Sequence, residues 1–186
     1  CRTEGLVMRK RYKPLPKAEA PTPGAKSSEY KTFGRSRSLR LPGFDYTQPY
    51  LAFYVTICMK DKQRLLTDNG RCAAARDALI ASCKDEGYRP IAYCIMPDHV
   101  HALIQGGSKP GGLSSWVKRF KGLSQRALWT LGVEGKVWQR GFFDHILRAY
   151  EDMEDIARYI LANPVRAGLV VHSTDYPWSG LVETPL

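Results

Sequence analysis

Short runs rich in β-branched and aromatic residues alternate with longer runs of helical periodicity from Tyr50 onward, and this order leaves few folds open. Four strands are predicted, at LAFYVTICM, RPIAYCIM, HVHALIQ and about residues 142–147. Helices are predicted after the first and the third strand, and another follows the fourth. This βαββαβ order with one appended helix predicts an α+β fold, specifically a ferredoxin-like sandwich.

Local signals set the expected ends of the first elements. Asp68 or Asn69 is expected to cap the first helix, RCAAARDALIASCKDEG, and Gly87 is expected to end it. The Pro97-Asp98 dipeptide is typical of a turn. The second and third strands should therefore form a hairpin.

The second and third helices carry similar signals. Ser114 or Ser115 is expected to cap the second helix. Its predicted apolar face comprises Trp116, Phe120, Leu123, Ala127 and Leu131. The third helix is expected to begin among the acidic residues at positions 151–155, which suit the helix dipole, and to end at Asn163-Pro164.

The length of 186 residues fits one domain with an extension. Hydrophobic residues make up 44% and charged residues 25% of the chain, which excludes a wholly disordered or fibrous protein. The longest nearly apolar run, residues 51–59, is far shorter than the roughly 20 residues of a membrane-spanning helix, so we expect a soluble protein. We divide the sequence into a basic, proline-rich arm (1–49), a globular domain (50–172) and a C-terminal tail that packs on the domain (173–186).

The charge of the chain is strongly basic, with 28 Lys and Arg against 18 Asp and Glu and a formal net charge of +10. Residues 1–49 alone hold 11 basic and 4 acidic side chains. This balance favours a polyanionic partner such as nucleic acid, although a basic arm also serves solubility alone. The five cysteines form no CxxC pair, and no apolar stretch follows the basic N-terminal residues, so we expect a reduced, cytoplasmic protein.

Two histidines stand out in the predicted third strand. His99 and His101 are two residues apart, so both imidazoles point to the same face of the sheet. Two nitrogen donors on one face suit a shared divalent metal ion. On this pattern alone, two histidines that merely cover a polar face remain the alternative.

Tyr159 and Asn163 are four residues apart on the predicted third helix and therefore share a face. The pair lies at the edge of an apolar stripe, at the boundary of core and cleft. The stripe comprises Met153, Ile156, Ile160 and Leu161. A boundary tyrosine and a helix-terminal asparagine before Pro164 would give the same pattern without any catalytic role.

The segments IMPDHVHALI, VWQRGFFDHILR and ARYILANPVRAGLV, in this order, resemble the REP-associated tyrosine transposases, relatives of the single-tyrosine HUH transposases of bacterial insertion sequences. With LRLPGFDYTQPYLAFYVTIC before them and DYPWSG after them, the resemblance spans roughly residues 39–180. It implies that residues 50–172 form a catalytic HUH domain whose appended helix carries the nucleophile.

The resemblance also implies roles for individual residues. In that family the two histidines of a His-hydrophobic-His motif bind the catalytic metal. This assigns the role to His99 and His101, with Mg²⁺ or Mn²⁺ as the ion. The tyrosine of the YIxxNP segment is the nucleophile, here Tyr159. Related transposases take a third metal ligand one helical turn later, and Asn163 occupies that place. The implied function is cleavage and rejoining of single-stranded DNA beside hairpin repeats through a 5′-phosphotyrosine, in a monomer or a homodimer.

Several basic residues are candidates for DNA binding, with a solvated surface as the alternative. They are Arg35, Arg37 and Arg40 in the arm, Lys118, Arg119 and Lys121 on the second helix, and Arg140 in the family-like segment. His145 belongs to the same segment, where a structural or DNA-facing role is expected.

Two further function classes compete with the transposase. One is a non-catalytic protein of ferredoxin-like fold that binds single strands or hairpins through stacked aromatics, although no basic strand interleaved with aromatics supports it. The other is a metallohydrolase that uses His99, His101 and a metal-bound water. Its activity would survive Tyr159→Phe.

Overall fold

The computed structural model describes residues 51–106, 112–147 and 153–182. The predicted arm, with Arg35, Arg37 and Arg40, lies outside the described residues. The described strands are β1 Ala52–Cys58, β2 Tyr88–Met96, β3 His99–Gly106, β4 Phe143–Ile146 and β5 Ser179–Leu181. The described helices are α1 Asn69–Glu86, α2 Gly112–Thr130, α3 Met153–Leu161 and α4 Asn163–Arg166, with 3-10 turns at Lys60–Lys62 and Ser173–Asp175.

The five strands form one sheet in the order β4-β1-β3-β2-β5, and every neighbouring pair is antiparallel. The first four strands have the order of a ferredoxin-like sheet, so the predicted fold class is confirmed. Strand β5 was not predicted. Its three residues, SGL, pair with residues 92–94 of β2, and so short a segment has no periodicity to detect.

The first helix and the hairpin have the predicted ends. The Asp68 carboxylate caps α1 by accepting a 2.9 Å hydrogen bond from the Arg71 backbone N–H. Gly87 follows the helix with φ of 75°, a left-handed conformation that suits glycine. Strands β2 and β3 then pair directly across the turn at residues 97–98.

The predicted cap of the second helix is wrong, because α2 already includes Gly112 and therefore begins before Ser114 or Ser115. Leu113 is buried in the core, so tertiary packing favours helix at these positions. The far end also differs. Leu131 lies beyond the helix and is 42% exposed, whereas Leu128 is buried.

The sheet has two different faces, which follow from the alternation along β3. Val100, Ala102 and Ile104 point into a large apolar core shared with α1 and α2, which we call the α1/α2 face. Leu103 points to the opposite side and packs in a smaller cluster with Ala157 and Ile160 of α3, which we call the α3 face. His99 and His101 have the same parity as Leu103 and therefore lie on the α3 face.

No helix within the described ranges combines the length and the hydropathy needed to cross a membrane.

Candidate active site

The two histidines of β3 converge on one point at the α3 face. Their Nε2 atoms are 2.9 Å apart, and the ring centroids are 4.6 Å apart in an edge-to-face arrangement. Across the sheet, His99 pairs with Cys58 and His101 pairs with Thr56 of β1. The predicted placement of both imidazoles on one face therefore agrees with the observed register.

Each histidine has a separate partner for its other ring nitrogen. The Nδ1 atom of His99 lies 2.5 Å from the Asp98 carboxylate. The Nδ1 atom of His101 lies 2.9 Å from the Tyr54 hydroxyl and 3.0 Å from the Thr56 hydroxyl. When Nδ1 donates to these oxygens, the Nε2 lone pair of each ring points toward the other ring, as in histidines that bind metals.

Burial sets the protonation of the groups around His101. The imidazole is only 6% exposed, and its burial, with the charges of His99 and Arg166 acting in the same direction, lowers the pKa of His101 to about 3. The ring is therefore neutral at neutral pH. Burial likewise raises the pKa of Tyr54 to about 12, so this hydroxyl keeps its proton beside the histidine.

The histidine geometry fits a divalent ion. Two nitrogens bound at right angles to one ion at about 2.1 Å lie about 3 Å apart, close to the 2.9 Å between the two Nε2 atoms. Two lone pairs facing each other at this distance repel unless a cation or a proton lies between them. Among the described residues, no group of three or more His, Cys, Asp or Glu side chains is placed to hold a metal.

The ring of Tyr54 lies between Tyr159 and His101 and contacts both. The Tyr159 ring is 6.1 Å from that of Tyr54 and nearly perpendicular to it, at 88°. Tyr54 in turn stacks on His101, at 5.6 Å and 23°. Helix α3 therefore brings the predicted nucleophile to the predicted metal ligands, with Tyr54 between them.

Arg166 contacts the ring of Tyr159. Its guanidinium carbon lies 4.5 Å from the centre of the Tyr159 ring, which is the distance of a cation–π contact. The residue belongs to α4, the short helix that follows α3.

Asn163 takes a different position from the one that a continuous helix would give it. Helix α3 ends at Leu161, and Asn163 begins α4. Its Nδ2 atom donates hydrogen bonds to the carbonyl oxygens of Tyr159, at 2.9 Å, and of Ile160, at 3.2 Å. The amide nitrogen therefore closes the end of α3, and only Oδ1 remains as a donor for a metal.

The DNA-binding candidates within the described residues are of two kinds, exposed side chains and side chains bound within the protein. Lys118 is exposed, as is Arg140 before β4. Arg119 instead forms an ion pair with Asp85, at 2.6 Å. The Lys121 ammonium donates to three carbonyl oxygens, those of Gln139 at 2.8 Å, Gly141 at 2.9 Å and Arg140 at 3.4 Å. These three hydrogen bonds anchor the segment before β4, and burial lowers the pKa of Lys121 to about 8.

Sequence reasoning missed four residues of the site, namely Tyr54, Thr56, Asp98 and Arg166. The signal for two of them was present, because alternation in LAFYVTICM places Tyr54 and Thr56 on one face of β1. Which strand would face them was not predicted. His145 lies opposite Tyr54 on β4 and joins the same face.

Comparison with known proteins places this geometry in a family. The family model described as "Transposase IS200 like" matches residues 47–163. The structure of a REP-associated tyrosine transposase bound to a REP hairpin superposes with a TM-score of 0.59 at 24% identity, covering 73% of this chain and 79% of that one. The latter similarity supports the fold.

Two curated relatives carry the same family name. A protein of Haemophilus influenzae, whose name places it among the REP-associated tyrosine transposases, is 28% identical over 148 residues, which are 73% of this chain and 81% of the relative. The REP-associated tyrosine transposase of Escherichia coli K12 is 24% identical over 139 residues, with the same coverage of both chains. Because the family model covers more than half of the chain, the protein belongs to the IS200-like transposases, and its resemblance to the REP-associated tyrosine transposases is confirmed.

Proposed function

We propose that this transposase is a metal-dependent enzyme that cleaves and rejoins single-stranded DNA through a 5′-phosphotyrosine on Tyr159. One observation carries the proposal: Tyr54 contacts both His101 and Tyr159, so a nucleophile and two converging imidazole nitrogens share one face of the sheet. A nucleophile beside a metal site is what phosphoryl transfer requires.

The metal would be held by the Nε2 atoms of His99 and His101. The Oδ1 atom of Asn163 is our proposed third ligand, since its Nδ2 atom is bound to the end of α3. Amide and phosphate oxygens suit both Mg²⁺ and Mn²⁺, whereas imidazole is a ligand that first-row transition ions prefer, so Mn²⁺ fits this mixed set better than Mg²⁺. When bound, the ion supplies Lewis-acid polarisation of the scissile phosphate and neutralises charge on its oxygens.

The chain's own residues perform the covalent step. The Tyr159 oxygen attacks phosphorus, so a Tyr159–phosphate bond forms while the bond from phosphorus to the 3′ oxygen breaks. The phenol loses its proton to a base or water, and the departing 3′ oxygen gains one. Because the phosphotyrosine is still a phosphodiester, a 3′-hydroxyl can later attack it and rejoin the strands.

The proposed substrate is hairpin DNA with an adjacent single-stranded cleavage site. The solved relative carries a REP hairpin, and the formal charge of +10 suits a polyanion. Lys118 and Arg140 are exposed and remain candidate phosphate contacts, as do Arg35, Arg37 and Arg40 of the arm. Arg119 and Lys121 are engaged within the protein, so we assign them a smaller share of DNA binding.

The test uses a labelled hairpin oligonucleotide with a single-stranded flank, incubated with Mg²⁺, Mn²⁺ or EDTA and analysed on a denaturing gel. We expect a covalent adduct that requires metal and is lost in Tyr159→Phe. Tyr93→Phe is the control, because Tyr93 packs on the α1/α2 face. An adduct that persists in Tyr159→Phe would contradict the proposal.

Two other outcomes favour the competing functions. Tight binding of the oligonucleotide by the wild-type protein without any adduct favours a non-catalytic hairpin-binding protein. Metal-dependent cleavage without an adduct, unaffected by Tyr159→Phe, favours a hydrolase that uses a metal-bound water.

A further inference from the structure

Arg166 is held at the nucleophile by the local fold. Its backbone N–H donates to the Ala162 carbonyl at 3.0 Å, and α4 follows directly on α3, so the side chain folds back onto Tyr159. The guanidinium lies over the face of the Tyr159 ring, at 4.5 Å from its centre.

The guanidinium has no acidic partner in the described part of the chain. Arg158, on the same helix as Tyr159, pairs with Asp155 at 2.9 Å and with Glu154 at 3.7 Å. Arg119 pairs with Asp85. Arg166 is exposed and contacts an aromatic face instead, which leaves its N–H groups available to an anion.

Arg166 also lies near the rest of the site through the aromatic rings. The Tyr159 ring that it contacts packs edge-on against Tyr54, and Tyr54 stacks on His101.

We propose that Arg166 binds the phosphate that is transferred to Tyr159. In the free protein the guanidinium rests on the tyrosine ring. When the scissile phosphate arrives at the phenol oxygen, two N–H groups bind its two non-bridging oxygens, because the planar guanidinium matches this geometry. This inference rests on the proposed function and adds a phosphate-binding residue from the chain itself.

The test compares Arg166→Gln and Arg166→Lys with Arg158→Gln, which removes a charge from the same region but away from the ring. Single-turnover rates of adduct formation are measured at saturating protein, together with the Kd for the hairpin. We expect Arg166→Gln to lower the rate by about 100-fold, as for loss of a preorganised donor to a charged transition state. Arg166→Lys should fall in between, because it keeps the charge and loses the planar fork, and Arg158→Gln should resemble the wild type.

A second readout separates phosphate binding from a packing role. Adding guanidinium chloride at low millimolar concentration to Arg166→Gly should restore part of the rate, with sodium chloride as the control for ionic strength. No rescue together with equal rates for Arg166→Gln and Arg158→Gln would overturn the inference. A change in hairpin Kd with an unchanged saturating rate would overturn it too.

These outcomes are distinct from failure of the proposed function. If the wild-type protein forms no adduct, the proposed chemistry itself is wrong. If the wild-type protein forms an adduct and Arg166→Gln forms it equally fast, only the role of Arg166 is wrong.

Discussion

The two faces of the single sheet differ in what they bury. The α1/α2 face buries large apolar side chains, among them Trp116 and Phe120 at 6.1 Å from each other. The α3 face has a smaller apolar cluster and, beside it, the two histidines and the tyrosines. Strand β3 supplies both faces by alternation, since Val100 points one way and His99 and His101 the other.

Strand β3 therefore contributes to stability through one face and to the candidate active site through the other. Burial of apolar area on the α1/α2 face stabilises the domain, so the α3 face can hold polar groups that contribute less. A change on one face should therefore alter stability, and a change on the other should alter metal binding or catalysis.

His101→Ala should nearly abolish adduct formation while leaving the fold intact. If His101 is one of the two proposed imidazole ligands, its removal takes away metal-assisted stabilisation worth several kcal/mol, or at least about 1,000-fold in rate. Circular dichroism checks that the fold is intact, and single-turnover kinetics measure the rate of adduct formation. Adduct formation within about tenfold of the wild type would show that His101 is not part of the catalytic site.

Phe120→Ala, on the α1/α2 face, should lower stability and leave metal affinity unchanged. Phe120 is fully buried between Trp116 and Trp138, so its truncation should lower the free energy of unfolding by about 3–5 kcal/mol. Urea denaturation measures this loss. Metal affinity per folded molecule should stay at the wild-type value, and a parallel loss of metal affinity would break the separation of the two faces.

Tyr54→Phe should weaken metal binding and leave the aromatic packing in place. The change removes one hydroxyl at 2.9 Å from the His101 Nδ1 atom, and loss of such an outer partner typically costs about 10- to 100-fold in metal affinity. Titration with Mn²⁺, followed by electron paramagnetic resonance, gives the affinity without any turnover.

Thr56→Val and the double variant complete this prediction, because Thr56 offers His101 a second hydroxyl at 3.0 Å. The double variant should bind metal more weakly than either single variant. Tyr93→Phe is the matched control from the α1/α2 face and should have no effect on metal affinity. Wild-type affinity in the double variant would show that neither hydroxyl orients the ligand.

Asp68→Ala should give the smallest effect and only on stability. It removes the N-terminal cap of α1, whose carboxylate accepts from the Arg71 N–H, at a cost of about 1 kcal/mol. Thermal unfolding measures the decrease. The rate of adduct formation at 25 °C should remain unchanged, since α1 lies on the face opposite the site.

Much of the fold was predictable because it depends on local patterns. Strand alternation, the Asp68 cap and the Gly87 stop act within a few residues, and the structure has all three. The start of α2 was not predictable from Ser114 or Ser115, because the burial of Leu113 favours an earlier start. Tertiary packing decides such boundaries.

From the residues alone, the site was predictable only where one element holds both residues. The resemblance to the transposase family was needed to predict that Tyr159 of α3 lies near the histidines of β3. Alternation along β3 is enough to place His99 and His101 on one face. The contact of Tyr54 with His101 depends on the register between β1 and β3, and the pairing of Arg119 with Asp85 depends on the packing of α2 on α1. No single segment of the sequence contains that information. The end of the third helix was predicted at Asn163-Pro164, but α3 ends at Leu161 and Asn163 begins α4.

The most direct test of the proposed chemistry is to identify the residue that forms the covalent bond to DNA. The adduct formed with a hairpin oligonucleotide is digested with nuclease and trypsin and analysed by tandem mass spectrometry. Cleavage after Arg158 and Arg166 yields the peptide YILANPVR, in which Tyr159 is the only tyrosine. We predict a nucleotide attached to Tyr159 in this peptide. A nucleotide attached to any other residue, or a covalent complex in which this peptide is unmodified, would contradict the proposal that Tyr159 is the nucleophile.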